Sequence, residues 1–368
     1  MRRRVRLLAA GAATVGSALV SLPAAAQSIF DGGLRTGPQY IQYQIKAPVN
    51  ETIEEFALPI LVVWPVGASV DIDLGTAYAA ARVRSNDGST AASKVSGLTD
   101  TQIRANLKIG TDFIVITAGV NLPTGRETVA ADEQLAAYRI GNDFLAFPIS
   151  NFGTGFGATG GVAIARPLAS WNFGVGVSAR RSASYEPFES DAGARPRFQP
   201  GNEYRVRAGV DRPFGTGRVA IGLTFASFGR DALDSSLYNT GDRYTVQAGL
   251  NNSVGGADIT VSAWNLYRTS GTIFTGARAG PENISNLLLA VGVRALRGVV
   301  EPSVELRRWT QESLDASVLG TVGVRYTASA GAATVTPSIA YTVGRFASAT
   351  TTASMSGLRA VLAMRLGQ

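Results

Sequence analysis

Two pairs of carboxylates have the residue type and spacing that acid–base chemistry requires. Asp71 and Asp73 fall on one face of an alternating segment, and Glu301 and Glu305 do the same further along. Such pairs can act as general acid and base in hydrolysis. The 368-residue chain has no His and no Cys, however, which excludes a Ser-His-Asp triad, a Cys nucleophile and His- or thiolate-ligated metals. We expect no enzyme, cofactor or metal, and we expect Asp71 and Asp73 to pair with arginines.

Polar residues, some of them basic, recur at every second position of several segments and alternate with apolar residues. The run 102–109 reads QIRANLKI, and the runs 243–251 and 300–307 alternate in the same way. A period of two is the signal of a β-strand whose two faces differ in polarity. The chemistry-bearing residues are therefore expected on one face of a sheet.

About sixteen segments of this kind cover the chain between residues 39 and 366, most of them about 9–15 residues long, as tilted membrane-spanning strands are. The connections alternate in length. Tight turns are expected near 65–66, 110–112, 167–169, 213–215, 254–256, 297–298 and 330–331, with long polar connections at 85–97, 123–152, 185–202, 230–241 and 270–283. The pattern predicts an all-β fold, a transmembrane antiparallel up-and-down β-barrel of about 16 strands, with 14 or 12 as alternatives.

The apolar faces are expected to contact lipid and the polar faces to line the lumen. An arginine such as Arg325 or Arg359 turned to lipid near the midplane costs roughly 2–4 kcal/mol, which opposes a one-residue register slip. Aromatic residues near strand ends are candidates for interfacial girdles: Trp64, Trp171, Tyr204, Tyr244, Tyr267, Trp309, Tyr326 and Tyr341.

The predicted inward set contains more cations than anions, which favours anionic or electron-rich solutes in an open pore. The alternative is a self-compensating ladder of ion pairs in a narrow barrel. The residues expected to line the lumen and meet solute are Arg104, Lys108, Arg205, Arg207, Arg243, Arg294, Arg307, Arg325, Arg359, Asp71, Asp73 and Glu305.

The N-terminus has the pattern of an export signal. Four arginines precede an uncharged apolar stretch that ends at Ala24-Ala25-Ala26, which predicts a signal peptide over 1–26. A short periplasmic segment is expected at 27–38 and the barrel at 39–368. Because those four arginines contribute to the formal net charge of +7, the charge does not indicate nucleic-acid binding.

The long connection 126–150 combines helix-favouring residues at 127–138 with an apolar patch at 144–148. We expect it to fold into the lumen as a constriction; an ordinary surface loop is the alternative. The segment 27–38 is too short for a plug domain, which favours passive diffusion over energy-coupled transport.

Three runs resemble a known family: SGLTDTQIR at 96–104, TAGVNLPTG at 117–125 and NFGTGFG at 151–157. Mainly over 90–230, the chain resembles the outer-membrane transporter-like family associated with meta-pathway phenol degradation. The resemblance implies a porin-like uptake barrel and assigns no binding residue.

These expectations combine into a channel in the bacterial outer membrane for passive diffusion of small solutes, anionic or aromatic and hydrophobic. A structural or adhesive barrel with a closed lumen is the alternative. The expected partners are outer-membrane lipid, lipopolysaccharide, the barrel-assembly machinery and a small-molecule solute, with monomer and trimer both open. The last segment, 358–368, lacks the terminal aromatic residue typical of such barrels.

Overall fold

The computed structural model describes residues 32–88, 91–110, 113–312, 314–348 and 351–367. These residues form a closed antiparallel β-barrel of sixteen strands, in which the first strand pairs with the last. The barrel and its strand number confirm the sequence prediction, and the alternatives of 14 and 12 strands are wrong. The expected signal peptide, 1–26, lies outside the described residues.

The strands have the following bounds. The first eight are β1 (Gly33–Thr36 and Gln39–Ile45), β2 (Glu51–Val66), β3 (Val70–Ser85), β4 (Ser93–Leu98 and Thr101–Ile109), β5 (Ile114–Leu122), β6 (Gly157–Leu168), β7 (Trp171–Ser182) and β8 (Glu203–Phe214). The others are β9 (Gly217–Phe228), β10 (Arg243–Val254), β11 (Ala257–Arg268), β12 (Glu282–Ala295), β13 (Gly298–Gln311), β14 (Ser317–Ala330), β15 (Ala333–Ala347) and β16 (Thr352–Leu366).

Short and long connections alternate around the barrel. The connections at the end that carries both termini are tight, such as 169–170, 215–216 and 255–256, whereas those at the other end reach the length of 123–156. In outer-membrane barrels the short turns face the periplasm, so the long connections lie at the outer end. Strand β1 begins at Gly33, so the barrel takes in part of the segment 27–38 that was expected to precede it.

The exterior carries an apolar band. On β3 the outward residues from Val70 to Ala80 are apolar apart from Thr76, while the inward Ala79 and Ala81 are buried. On β2 the outward Trp64 is 68% exposed. Ten residue steps of roughly 3.3 Å, tilted by about 40°, span about 25 Å, the height of a membrane-facing band. An apolar exterior of this height on a closed barrel places the protein in the outer membrane.

One expected girdle residue faces the other way. Trp309 is only 6% exposed and points into the barrel, where its indole N–H donates to Glu282 Oε1 at 2.6 Å. It is therefore a lumen residue, and its prediction as an interfacial residue was wrong. Tyr204, Tyr244 and Tyr341 are exposed on the outside.

Strand β4 contains a β-bulge. Tyr78 of β3 is paired with Leu98, and Gly75 with Gln102, so three steps on β3 correspond to four on β4. The extra residue reverses the facing of the strand. Before the bulge the inward residues include Val95, and after it they include Arg104.

Small elements complete the outer end. The connection 123–156 contains a 3₁₀ turn (Ala131–Glu133) and one helix, α1 (Gln134–Ile140). Short segments at 198–199, 231–233 and 236–238 form a three-stranded sheet, and 271–272 pairs with 278–279. Within the described part of the chain, no helix is long and apolar enough to cross a bilayer.

Candidate functional site

The longest connection, 123–156, folds into the barrel. Ala136 and Ile140 on one face of α1 are buried, as are Phe144, Leu145 and Phe147 beyond it. The name inward segment is used below for 126–152. Its position agrees with the expectation of a constriction rather than a surface loop.

The inward segment packs on an apolar arc of wall that runs from β11 through β16 to β4. Phe144 stacks on Trp309 and Phe346 with centroid distances of 5.7 and 6.3 Å, and Phe147 meets Tyr43 edge-on at 5.4 Å. Each fully buried large apolar side chain contributes about 1.5–3 kcal/mol. The segment is therefore held like part of a protein core. Other wall residues in this cluster are Ile41, Ile45, Ile53, Val83, Val95, Leu266, Ile284, Leu319 and Met355.

Polar contacts tie the segment's backbone to the same arc. Tyr43 Oη donates to the Leu145 carbonyl at 3.1 Å, and Arg307 Nη1 donates to the Phe144 carbonyl at 2.9 Å. The Ile149 N–H donates to Glu55 Oε1 at 2.9 Å. These bonds satisfy backbone groups that would otherwise be buried without partners, and they fix the segment's depth in the lumen.

Asp100, at the bulge in β4, bonds to residues that flank the inward segment on both sides. Its Oδ1 accepts from the Gly125 N–H at 3.1 Å, and its Oδ2 accepts from the Thr154 N–H at 2.7 Å and Asn121 Nδ2 at 2.8 Å. Gly125 is required because an added Cβ would lie 2.3 Å from the Phe152 carbonyl oxygen. The three runs behind the family resemblance thus meet at one carboxylate.

The opposite arc, β5 to β10, carries small inward residues. Ala165, Gly174, Gly209 and Gly222 are successive register partners across β6, β7, β8 and β9. The neighbouring row contains Ala163 and Gly176. Because these residues lack long side chains, this row fills less of the lumen than the apolar arc does. It is the candidate solute pathway.

Arginines project from this small-residue wall. Arg205 pairs with Glu203, and Arg207, two residues further along β8, interacts electrostatically with Arg205, Glu203 and Arg104. Arg180 of β7 donates from Nη2 to Thr154 Oγ1 at 3.3 Å. A cationic cluster therefore lies beside Thr154, just after the C-terminal end of the inward segment.

Several predicted lumen residues are brought together as ion pairs. The N···O distances are 2.6 Å for Lys108–Asp71, 3.3 Å for Arg104–Asp73, 2.6 Å for Arg307–Glu305 and 2.8 Å for Arg325–Glu301. Asp71 therefore pairs with a lysine and not with an arginine as expected. These pairs form part of the predicted compensating ladder.

The other predicted residues are dispersed. Arg243 stacks over the Phe228 ring at 5.4 Å, Arg294 lies exposed near the inner end of β12, and Arg359 is half-buried on β16. Among the described residues, Arg180, Arg243, Arg294 and Arg359 form no ion pair with an acidic residue. These four inward cations thus have no acidic partner among the described residues.

An apolar groove lies at the outer mouth between α1 and the 183–202 connection. It has a volume of about 450 Å³, and its apolar lining includes Val129, Leu135, Tyr138 and Phe188. In the neighbouring small sheet, burial, together with nearby Tyr238 and Asp100, raises the pKa of Tyr185 to about 12. The Tyr185 phenol therefore stays neutral near pH 7.

Sequence reasoning missed Asp100, Glu55 and Arg180. Arg180 belongs to a strand in which glycine and serine alternate with Val175 and Val177, so the period-two pattern contained its signal. Glu55 and Asp100 gave no such signal, because their roles depend on backbone groups of a distant connection.

A scan of family models found no match to the sequence, and a search of curated proteins found no relative. Among solved structures, a bacterial polysaccharide outer membrane secretin is 10% identical, covering 92% of this chain and 99% of its own, with a TM-score of 0.49. A BenF-like porin from Pseudomonas fluorescens Pf-5 is 9% identical, covering 92% and 98%, with a TM-score of 0.46. The anion-selective porin from Comamonas acidovorans is 11% identical, covering 90% and 98%, with a TM-score of 0.43. Likeness at this level assigns no solute, and the phenol association stays a prediction.

Proposed function

We propose that the barrel is a channel for passive diffusion of small solutes across the outer membrane. The observation that carries the proposal is the asymmetry of the lumen. The inward segment covers the apolar arc, while the row Ala165, Gly174, Gly209 and Gly222 on the other arc carries no long side chains. A solute would pass between the two.

We further propose that the channel prefers anions, and among them aromatic or hydrophobic carboxylates. Arg180, Arg205 and Arg207 border the pathway, and several inward cations have no acidic partner among the described residues. A guanidinium binds a carboxylate through two parallel hydrogen bonds. The apolar groove at the mouth, with Leu135, Tyr138 and Phe188, would receive the ring of such a solute.

Reconstitution in planar bilayers tests the channel. We expect discrete conductance steps and, under a potassium chloride gradient, a reversal potential displaced towards that of chloride. In liposome swelling, benzoate should enter faster than the neutral benzamide of similar size. A cation-selective reversal potential would contradict the charge preference without contradicting the channel.

The closed structural barrel remains the second candidate, because the inward segment is packed as tightly as a core on one arc. It predicts neither conductance steps nor swelling, with intact barrels verified by heat-modifiable gel mobility. As further partners of the same barrel we propose lipopolysaccharide in the outer leaflet and the barrel-assembly machinery during insertion.

A further inference from the structure

A basic group lies on the outside of the barrel, remote from the lumen. Arg82 and Arg84 of β3 and Lys94 of β4 point outward and are exposed. Their neighbours Val83 and Val95 are buried and point inward. The name outer basic patch is used for Arg82, Arg84 and Lys94.

The arrangement of the patch is unfavourable without an anion. Arg82 and Lys94 are direct register partners, and like charges facing each other across strands destabilise a sheet. One acid is close: Glu54 lies 3.7 Å from Arg84 and accepts from Tyr40 Oη at 3.0 Å. Three cations thus share one carboxylate, and among the described residues Arg82 and Lys94 form no ion pair.

The height of the patch identifies the environment. The outward residues of β3 from Val70 to Ala80 form the apolar band, which spans about 25 Å. Arg82 is the next outward residue and Glu54 of β2 is its register partner. The patch therefore lies at the outer edge of the band, at the level of lipid headgroups.

Below the patch, the first outward pair is Ala80 and Ser96, and the next outward pair is Tyr78 and Leu98. Tyr78 is 41% exposed and Leu98 is 52% exposed on the outside of β3 and β4. Cations above and apolar side chains below match a molecule with a phosphate head and acyl tails. A soluble anion would gain nothing from Leu98 and Tyr78.

We propose that the outer basic patch binds the phosphate group of an outer-leaflet glycolipid, with Arg82 and Lys94 as the phosphate ligands and Tyr78 and Leu98 against the acyl chains. The site rests on the membrane position of the barrel and is independent of solute passage. Its occupant would relieve the repulsion between Arg82 and Lys94.

Native mass spectrometry of the purified full-length barrel with bisphosphorylated lipid A tests the site. Each basic side chain near an anionic lipid surface contributes about a five-fold factor, so R82Q with K94Q should weaken the first lipid bound by roughly 30-fold. The matched control is R166Q with R212Q. It removes two exterior arginines that lie at the inner edge of the band, stacked over Phe113 and Trp171, and it should retain the lipid.

Two further arms define the ligand. Dephosphorylated lipid A should bind weakly to every variant, and excess inorganic phosphate should not displace the phosphorylated lipid. The exchange of Arg82→Lys with Lys94→Arg keeps the charge and should keep the lipid, which separates charge from folding.

Equal retention by the wild type and R82Q with K94Q, or equal binding of the dephosphorylated lipid, would overturn the proposal. Displacement by inorganic phosphate alone would show a site for free anions and also overturn it. Conductance should be unchanged in these variants, so failure here leaves the channel proposal standing.

Discussion

The two arcs of the lumen differ in how their inward side chains are buried. From β11 to β4 the wall carries large apolar residues such as Ile53 and Trp309, which need the inward segment to cover them. From β5 to β10 it carries residues such as Gly174 and Gly209, which have little side-chain surface to bury. A single sheet can thus be densely packed on one side of its interior and carry a row of small side chains on the other.

The difference is also electrostatic. On the covered arc, Arg307 pairs with Glu305 at 2.6 Å and donates to the Phe144 carbonyl, so its charge is used to hold the inward segment. On the open arc, Arg180 contacts only the hydroxyl of Thr154 among the hydrogen bonds of the described residues. A buried charge that loses its partner is strongly destabilising, so the pairing of Arg307 serves the fold, whereas an incompletely compensated charge can act on a passing ion.

Removal of the inward segment should have the largest effect on this asymmetry. Gly125 and Thr154 both bond to Asp100, so their chain ends are adjacent and a short Gly-Ser linker can replace 127–151. We expect conductance to rise severalfold because the covered arc becomes water-filled. Heat-modifiable gel mobility verifies the barrel, and unchanged conductance in an intact barrel would show that the segment does not limit the pathway.

Filling the open arc should have the opposite effect. Gly209→Phe places a ring in the lumen where an added Cβ meets only the Ile221 carbonyl oxygen at 3.6 Å, so the fold should tolerate it. Single-channel conductance should fall by more than half. The matched control is Gly160→Phe, on the outside of β6, where an added Cβ has nothing within 4 Å. Similar conductance in both variants would place the pathway elsewhere.

Arg180→Gln with Arg207→Gln should reduce anion preference more than conductance. The two substitutions remove positive charge beside the pathway and add little volume change, so the reversal potential should move towards zero. The pair R166Q with R212Q removes the same charge from the exterior and should leave the reversal potential unchanged. Identical shifts in both pairs would mean that the overall charge, and not the lumen, sets selectivity.

Asp100→Ala should have the smallest effect on mean conductance. Four donors lose their carboxylate acceptor, and hydrogen bonds to charged groups contribute about 1.5–3 kcal/mol each. We expect flickering current and faster proteolysis within 126–152, while the core contacts of Phe144 keep the segment inside. Asp100→Asn retains one acceptor oxygen and should have an intermediate effect. Steady current in both variants would show that Asp100 does not hold the inward segment in place.

The period-two pattern predicted the fold because it identifies the strands, their number and the face of each strand that points inward. It placed Arg104 and Arg325 on the correct side since their neighbours are apolar. It failed at Trp309, because an aromatic residue near a strand end fits either face. The pattern could not predict the ion-pair partners, because Lys108 meets Asp71 only through the register between neighbouring strands of the closed barrel.

Because of the bulge at Thr99 and Asp100, the inward face of β4 is apolar in the outer half of the strand and charged in the inner half. Val95 faces the packed segment, and Arg104 faces the charged lumen below it. Moving the extra residue by two positions along β4 would shift this boundary by about 5 Å in depth. The depth at which the apolar inner face gives way to the charged one is thus set by the position of one extra residue in one strand.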